Sequence, residues 1–495
     1  MAKEQAEINL AGFKISKNSA VPLYLQVYEQ LREMILSRRL RAGDRLPASR
    51  NFAKELGVSR VIVSQGYEQL LIEGYVVGKT GAGTFVADSL PDQLLHITHS
   101  NLSTQAKNSN PKGASLKNSN SPFDSGQKQE IRPFQGGTPA LDSFPYKIWH
   151  QIGNQTLKNL KNFHLGYDDT LGYWPLRQEI AAYLRMSRAV KCEAEQVIVV
   201  TGSQQGLNLI AACLLQKGDK VWMEDPGYPG AQRSLSNAQV AICPIPIEED
   251  GLNIDYAIEH FGEAKLAYLT PSHQFPLGYT LSEAKRLQVL KWAQQSGMWI
   301  IEDDYDSEFR YEGLPFASLQ GLDTHGVVIY SGTFSKVLFP GLRLAYLVVP
   351  TTEMVEQFRK VKYIIDRQSP ILEQIMVTKF MEEGHFLRHI RKMRLLYAER
   401  QALLLNLLQQ HLRDYLRVNA SPSGMHLICW LSAQINYDKL REEIKKHELL
   451  VNFLDDFTLQ CTLPHALILG YTAFSNYKLK SGVEQLDKCI QLSLD

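Results

Sequence analysis

SGTFSKVLFPGLRLAYLVVP, residues 331–350, is the most informative stretch of the chain. A β-prone run leads into a loop that carries Lys336, flanked by Thr333, Ser335 and Gly341, and Arg343 follows seven residues later. A lysine that forms a Schiff base must stand at a strand end, partly desolvated, with hydroxyls and a guanidinium close enough to seat a phosphate. Alone, a Ser-Lys pair in a loop is an ordinary solvated pair, and three other segments change that reading. IIEDDYDSEF (300–309) ends a buried strand in acids and Tyr305. A carboxylate at that place, here Asp303, can pair with a protonated pyridine nitrogen and make the ring an electron sink. VVTGSQQGLNLI (199–210) runs strand, Gly-Ser-Gln, helix. Backbone amides at that helix start, with the Ser203 hydroxyl and the Gln204 amide, form a phosphate seat. EDPGYPG (224–230) puts Tyr228 on the loop after the next strand, where a ring could stack on a cofactor.

Outward from these segments the pattern is regular. VIVV (197–200), KVWME (220–224), LAYLT (266–270), MWIIEDD (298–304), GVVIYSG (326–332) and LRLAYLVV (342–349) read as strands, and 206–216 and 282–297 as helices between them. Such alternation predicts an α/β domain with a largely parallel sheet over 131–495. After about residue 353 the pattern turns helical, chiefly in 386–412, and then mixed. The chain has 495 residues, 44% apolar and 21% charged, with a formal net charge of +1, so binding of polyanions through global charge is excluded. No window approaches the roughly 18 uncharged apolar residues of a membrane span, and the first residues lack a basic start followed by an apolar stretch. The six cysteines are scattered without CxxC spacing, which fits reduced thiols in a cytoplasmic protein and no metal site.

Residues 89–130 are different: Ser, Asn, Lys and Gln dominate 100–130 and large apolar residues almost vanish. That composition reads as a flexible linker, with an r.m.s. reach of roughly 35 Å for about 40 residues. Ahead of it, within 1–88, apolar Leu23, Val27, Leu31 and Ile35 mark one helix face. Ser49 after Pro47 predicts the N-cap of a short helix that stops at Gly57, and Ser59 caps a second helix ending near Gly74 with Val63, Tyr67 and Leu70 inward. Two helices on a short Gly-containing turn are a helix-turn-helix, and YVVGKTGAGTFVA (75–87) adds a hairpin. The second helix fits a DNA major groove, with Arg60, Ser64 and Gln65 outward, Arg45 and Arg50 at the start of the preceding helix near phosphates, and Lys79 in the hairpin tip. Residues 22–88 hold nine basic and seven acidic side chains, so the element order carries more weight than the charge. The plainer alternative is a small helical domain that binds protein.

The strings PLYLQVYEQLREMI, AGDRLPASRNFAKELGVSR, GYEQLLIEGYV and GAGTFV resemble the winged helix-turn-helix of the GntR regulators. The resemblance implies contacts to double-stranded DNA by Arg45, Ser49, Arg50, Ser59, Arg60, Ser64 and the hairpin tip around Gly81 and Gly83. Many relatives carry Arg where this chain has Ser64, so a bidentate guanine contact is absent there. With GYDDTLGYWPLRQEIAAYL (166–184), TPSHQFPLGYTLS (270–282) and SPSGMHLICWL (421–431), the later segments resemble fold-type I aminotransferases dependent on pyridoxal 5'-phosphate. That implies Lys336 as the internal aldimine, Asp303 on the pyridine nitrogen and Tyr305 on the ring hydroxyl. It also implies Ser203, Gln204, Thr333, Ser335 and Arg343 on the phosphate, and Tyr228 stacked on the ring. The combination looks like the MocR (GabR-like) subfamily, which implies a regulator sensing a small molecule through Lys336 and a head-to-tail homodimer.

Two departures bear on function. The Asn-Pro-x-Gly turn of many aminotransferases is Phe275-Pro276-Leu277-Gly278 here, so the ring hydroxyl falls to Tyr305 or to His273 or Gln274. In ALILGYTAF (466–474), Ile468 takes the place of the Arg that grips a substrate carboxylate. The effector is then an amine, an acid held by another residue such as Arg177 or Arg367, or pyridoxal phosphate itself. A working aminotransferase with an accessory DNA reader, and a regulator whose large domain only dimerises, remain as rivals.

Overall fold

The computed structural model describes residues 13–16, 19, 21–79, 83–88, 132–312 and 317–494. The chain divides into two compact units, 1–125 and 126–495. The proposed linker 89–130 and the hairpin residue Gly81 lie outside the described residues.

In the first unit, helix α1 (Leu23–Leu36) buries Val27, Leu31 and Ile35, as the spacing predicts. Helix α2 (Ser49–Leu56) ends at Gly57, and α3 (Arg60–Ile72) is preceded by Ser59 and buries Val63, Tyr67 and Leu70. One detail is corrected: Ala48 is the N-cap of α2, and Ser49 is its first helical residue. The Ser49 hydroxyl instead accepts from Arg60 Nε at 3.4 Å, across the turn. Strands β1 (Val76–Lys79) and β2 (Gly83–Val86) pair antiparallel, Val76 opposite Val86 and Lys79 opposite Gly83. Residues 44–46 add a third edge, with Leu46 N–H donating to the Thr84 carbonyl and Val86 N–H to that of Asp44, both at 2.8 Å. Arg45 therefore belongs to the wing rather than to the start of α2.

The second unit is built on an eight-stranded sheet. In chain order its strands are β3 (Val197–Val200), β4 (Lys220–Asp225), β5 (Ala241–Glu248), β6 (Gly251–Leu252), β7 (Leu266–Leu269), β8 (Trp299–Asp304), β9 (Val328–Thr333) and β10 (Ala345–Val348). They are arranged β3-β10-β9-β8-β7-β4-β5-β6. From β9 to β5 neighbours are parallel, and β10 runs antiparallel to both β9 and β3. Alternate residues enter opposite cores: Met223, Tyr268, Ile301 and Ile329 on one face, Trp222, Ala267, Ile300 and Val328 on the other. A sheet covered on both faces needs continuous apolar strands, which is why these runs were readable. A long helix, His385–His411, leads to a four-stranded antiparallel sheet of β11 (Leu416–Val418), β12 (His426–Leu431), β13 (Asn452–Phe453) and β14 (Ala466–Gly470), ordered β11-β12-β14-β13.

Candidate functional site

The parallel strands deliver their loops to one edge of the large sheet. Ser203 follows β3, Tyr228 follows β4, His273 follows β7, Asp303 lies in the last turn of β8 and Lys336 follows β9. Because β10 is antiparallel, Arg343 just before it reaches the same edge. Ligands of open α/β sheets bind outside the carboxyl ends of the strands, so the topology gathers the residues that the sequence had spread over 140 positions.

Lys336 sits in a short helical turn, Phe334–Val337, capped by Thr333, whose hydroxyl accepts from Ser335 N–H at 3.1 Å. Its Nζ donates to the Gly137 carbonyl at 2.8 Å. Burial lowers the amine's pKa, against the opposing pull of Asp306 and Asp303. A lysine so placed holds its neutral, nucleophilic form more readily than one in water. Gly137 was not singled out by sequence. It has a φ of +68°, a left-handed conformation that favours glycine, and a Cβ there would stand 2.6 Å from the mobile end of the lysine side chain.

Asp303 is buried, and one of its oxygens accepts from the Tyr268 hydroxyl at 2.7 Å. The other oxygen has no hydrogen-bond partner. Burial raises its pKa to about 6 even though the Tyr268 bond acts the other way. An orphaned buried carboxylate oxygen costs about 1–3 kcal/mol, and a protonated pyridine nitrogen would satisfy it. On the far side, α4 (Ser203–Leu214) begins after Gly202 with no side-chain cap, leaving its first-turn N–H groups open to an anion. A Cβ on Gly202 would lie 3.2 Å from the Arg343 guanidinium. Arg343 itself has a φ of +51°, a left-handed conformation that non-glycine residues adopt at a cost. These groups fit pyridoxal phosphate: a cradle of amides with Arg343, Ser203, Thr333 and Ser335 for the phosphate, and Asp303 for the ring nitrogen. The Gln204 side chain also has partners within the protein. Its amide nitrogen donates to the Tyr228 hydroxyl at 3.2 Å and its oxygen accepts from Ser234 at 2.7 Å, so it orients Tyr228.

The three residues expected on the ring-hydroxyl side are engaged differently. Gln274 is consumed by the turn, donating to the Pro226 and Phe275 carbonyls at 2.8 and 2.6 Å and accepting from Leu277 N–H at 3.1 Å. His273 Nδ1 lies 3.0 Å from the Tyr305 hydroxyl and 2.9 Å from Asp306. His273 and Asp306 thus back Tyr305. Arg177 is not a free grip for an acid. Arg177 is buried, with its fork spent on Asp169 and the Ala194, Glu195 and Val197 carbonyls. Arg367 stacks on Tyr167, 3.6 Å from the ring centroid. Ile468 is buried on the face of its strand opposite Leu467 and Leu469, which enter the core, and it pairs with Ile428, a cavity-lining residue.

In the DNA-reading unit, Arg45, Arg50, Ser59, Arg60 and Lys79 are exposed, and Ser49 and Ser64 are half-buried. Arg45's guanidinium packs over Gly83, and Lys79 over the Phe85 ring. Val61, exposed at the second position of α3, was missed; an apolar side chain there suits a thymine methyl.

The sequence matches the bacterial regulatory proteins of the gntR family over residues 23–86 and aminotransferase class I and II over 153–459. It is 36% identical over 472 residues to the probable rhizopine catabolism regulatory protein MocR of Rhizobium meliloti, covering 95% of this chain and 94% of that protein. The chain belongs to the MocR-type transcriptional regulators of the gntR family. Another MocR-type relative is the pyridoxine biosynthesis transcriptional regulator PdxR of Corynebacterium glutamicum, 29% identical over 85% of this chain and 86% of that protein. Among solved structures, the α-aminoadipate aminotransferase LysN of Thermus thermophilus, complexed with N-(5'-phosphopyridoxyl)-L-leucine, has a TM-score of 0.67 at 27% identity, covering 73% of this chain and 92% of that one. The aminotransferase fold of this MocR-type chain is thereby established, and among the described residues no helix is long and apolar enough to cross a membrane.

Proposed function

We propose that this regulator binds pyridoxal phosphate, that Lys336 is the amine that condenses with it, and that a small-molecule effector acts at this centre to change DNA binding. The observation that carries the reading is the pairing, at one sheet edge, of a half-buried lysine that donates to the Gly137 carbonyl and has a lowered pKa with a buried carboxylate oxygen that has no partner. Bound pyridoxal phosphate supplies an aldehyde carbon open to attack by primary amines and a ring that withdraws electrons when its nitrogen is protonated. Asp303 holds the proton at that nitrogen, Tyr305 with His273 and Asp306 orients the ring oxygen, and Arg343 with the α4 amides anchors the phosphate.

Reading DNA falls to α3, with Arg60 toward the bases and Arg45, Arg50, Lys79 and the wing along the backbone. We further propose that the large unit self-associates, so that two readers engage paired half-sites in the cytoplasm. Phe163, Leu165, Tyr167 and Ile364 support this, because they expose large apolar surface on a folded unit. All six cysteines are unpaired, as a reducing compartment requires.

The intact Lys336 and Asp303 pair also favours slow half-transamination, which is compatible with regulation. A mobility-shift titration on the intergenic DNA upstream of the gene separates the readings. Wild type and Lys336→Ala are compared, each with and without pyridoxal phosphate and candidate amines. Cofactor- and amine-dependent shifts in wild type alone are expected. Identical binding throughout would remove cofactor control, and sustained turnover without any shift would favour the enzyme.

A further inference from the structure

We infer that the effector is a small primary amine with an uncharged body and no carboxylate. The inference rests on Lys336 being the amine-exchanging centre and adds the chemical class of what exchanges there. A cavity of about 240 Å³ lies between the 273–279 turn and β12, with His273, Pro276, Tyr279, His426, Ile428 and Trp430 among its walls. It shares a wall residue, His273, with the surroundings of Lys336. His273 holds Tyr305, and the Phe275 ring packs edge-on against Tyr228, Tyr305 and His426 at 6.0, 6.0 and 5.7 Å. The charge of Lys336 is itself felt at His426.

Among the described residues, no Arg, Lys, Asp or Glu lines this cavity. His426 supplies no positive charge either: burial first, and then neighbouring His273, lowers its pKa to about 4, and its Nε2–H donates to the Pro276 carbonyl at 2.7 Å. Behind His273 stands Asp306, which is buried against it and repels an anion, while Arg188 and Arg310 line a separate small cavity on the other side of His273 and are not part of this wall. Above the cavity, Arg417 and Glu249 act in opposite directions on Tyr279, and neither lines the wall. The small sheet contributes Ile428, with Ile468 and Asn452 opposite each other on the adjoining strands. A carboxylate entering here would lose its water without gaining a cation, which is strongly unfavourable. An uncharged body gains by burial, and since a cavity of about 150 Å³ accepts benzene, this one has room for a ring with a short arm.

Calorimetric titration of the full-length holo protein, freed of excess cofactor, provides the test. The probes are 2-phenylethylamine, L-phenylalanine and 3-phenylpropionate, which share a body and differ in charged groups. The amine is expected to bind at least about tenfold more tightly than the amino acid, since only the latter buries an unpaired carboxylate; the acid gives no heat. Trp430→Ala weakens the amine while retaining the cofactor's visible absorbance, which shows that the fold survives. Ile468→Arg brings L-phenylalanine binding up to or above that of the amine. L-phenylalanine binding wild type as tightly as the amine, or none of the probes binding, overturns the inference while cofactor capture stands. A protein that never acquires a visible chromophore with pyridoxal phosphate fails one step earlier and removes both readings.

Discussion

Asp303 shows how one residue couples stability to the cofactor. Its carboxyl has a pKa raised from 3.8 to about 6, because burial disfavours the charged form. A folded-state pKa above the unfolded value means the native state holds the proton more tightly, so its contribution falls as pH rises from about 4 to about 6. The two-unit shift corresponds to about 3 kcal/mol for this fully buried group. Asp303→Asn cannot titrate. In urea denaturation of cofactor-free protein, the variant should therefore gain on wild type by about that amount between pH 4 and 7, and stay level above it. Parallel stability curves for the two proteins would mean that the carboxyl is not desolvated. With cofactor present the ranking should reverse, since the amide cannot hold a protonated ring nitrogen. Much of this site was legible residue by residue, because Lys336, Asp303 and Ser203 each follow an apolar run that ends in polar residues. Gly137, Tyr268 and Asp306 were not, since their roles exist only through contacts such as Lys336 to Gly137, 199 positions apart.

Elements show the same division between local and distant information. The helix over 283–296 could be bounded in advance because Ser282 caps it by accepting from Lys285 N–H and Gly297 ends it in the left-handed region. Strand β5 escaped notice because Pro244 and Pro246 interrupt its pattern. It tolerates them since its far side pairs only with the two-residue β6, leaving few ladder bonds to lose. In the DNA reader, the wing hairpin was expected but the Arg45 edge was not, as that pairing spans 40 residues. Two substitutions test this unit. Arg60→Ala should weaken binding to the specific site by about 1–3 kcal/mol while leaving non-specific binding nearly unchanged; equal losses on both would make Arg60 a phosphate contact. Gly83→Ala should act differently. The glycine has a φ of +114°, and a Cβ would stand 3.0 Å from Arg45 Nε. The substitution should cost the reader about 1 kcal/mol or more of stability and shift Arg45, weakening binding to all sequences and reducing its salt dependence.

At the scale of the molecule, a regulator with one reader per chain gains discrimination when two readers are joined, because the second contact becomes intramolecular. Under the proposed self-association, Phe163, Leu165, Tyr167 and Ile364 would supply the apolar surface; Tyr167 and Ile364 are 75% and 84% exposed. Arg367 stacks on the Tyr167 ring within this surface. Sedimentation of the full-length protein should give a mass of twice 56.1 kDa. Tyr167→Asp combined with Ile364→Asp places two charges on the apolar surface and should move the protein toward monomer with little loss of fold, since neither side chain is part of a core. Binding to a single half-site should then be unchanged, because α3 and the wing are untouched. Binding to paired half-sites about one helical turn or a multiple apart should fall at least tenfold, toward the single-site value. A double variant that remains dimeric would place the interface elsewhere on the unit. A monomeric variant that still distinguishes paired from single sites would mean that the DNA, rather than the large unit, brings the two readers together.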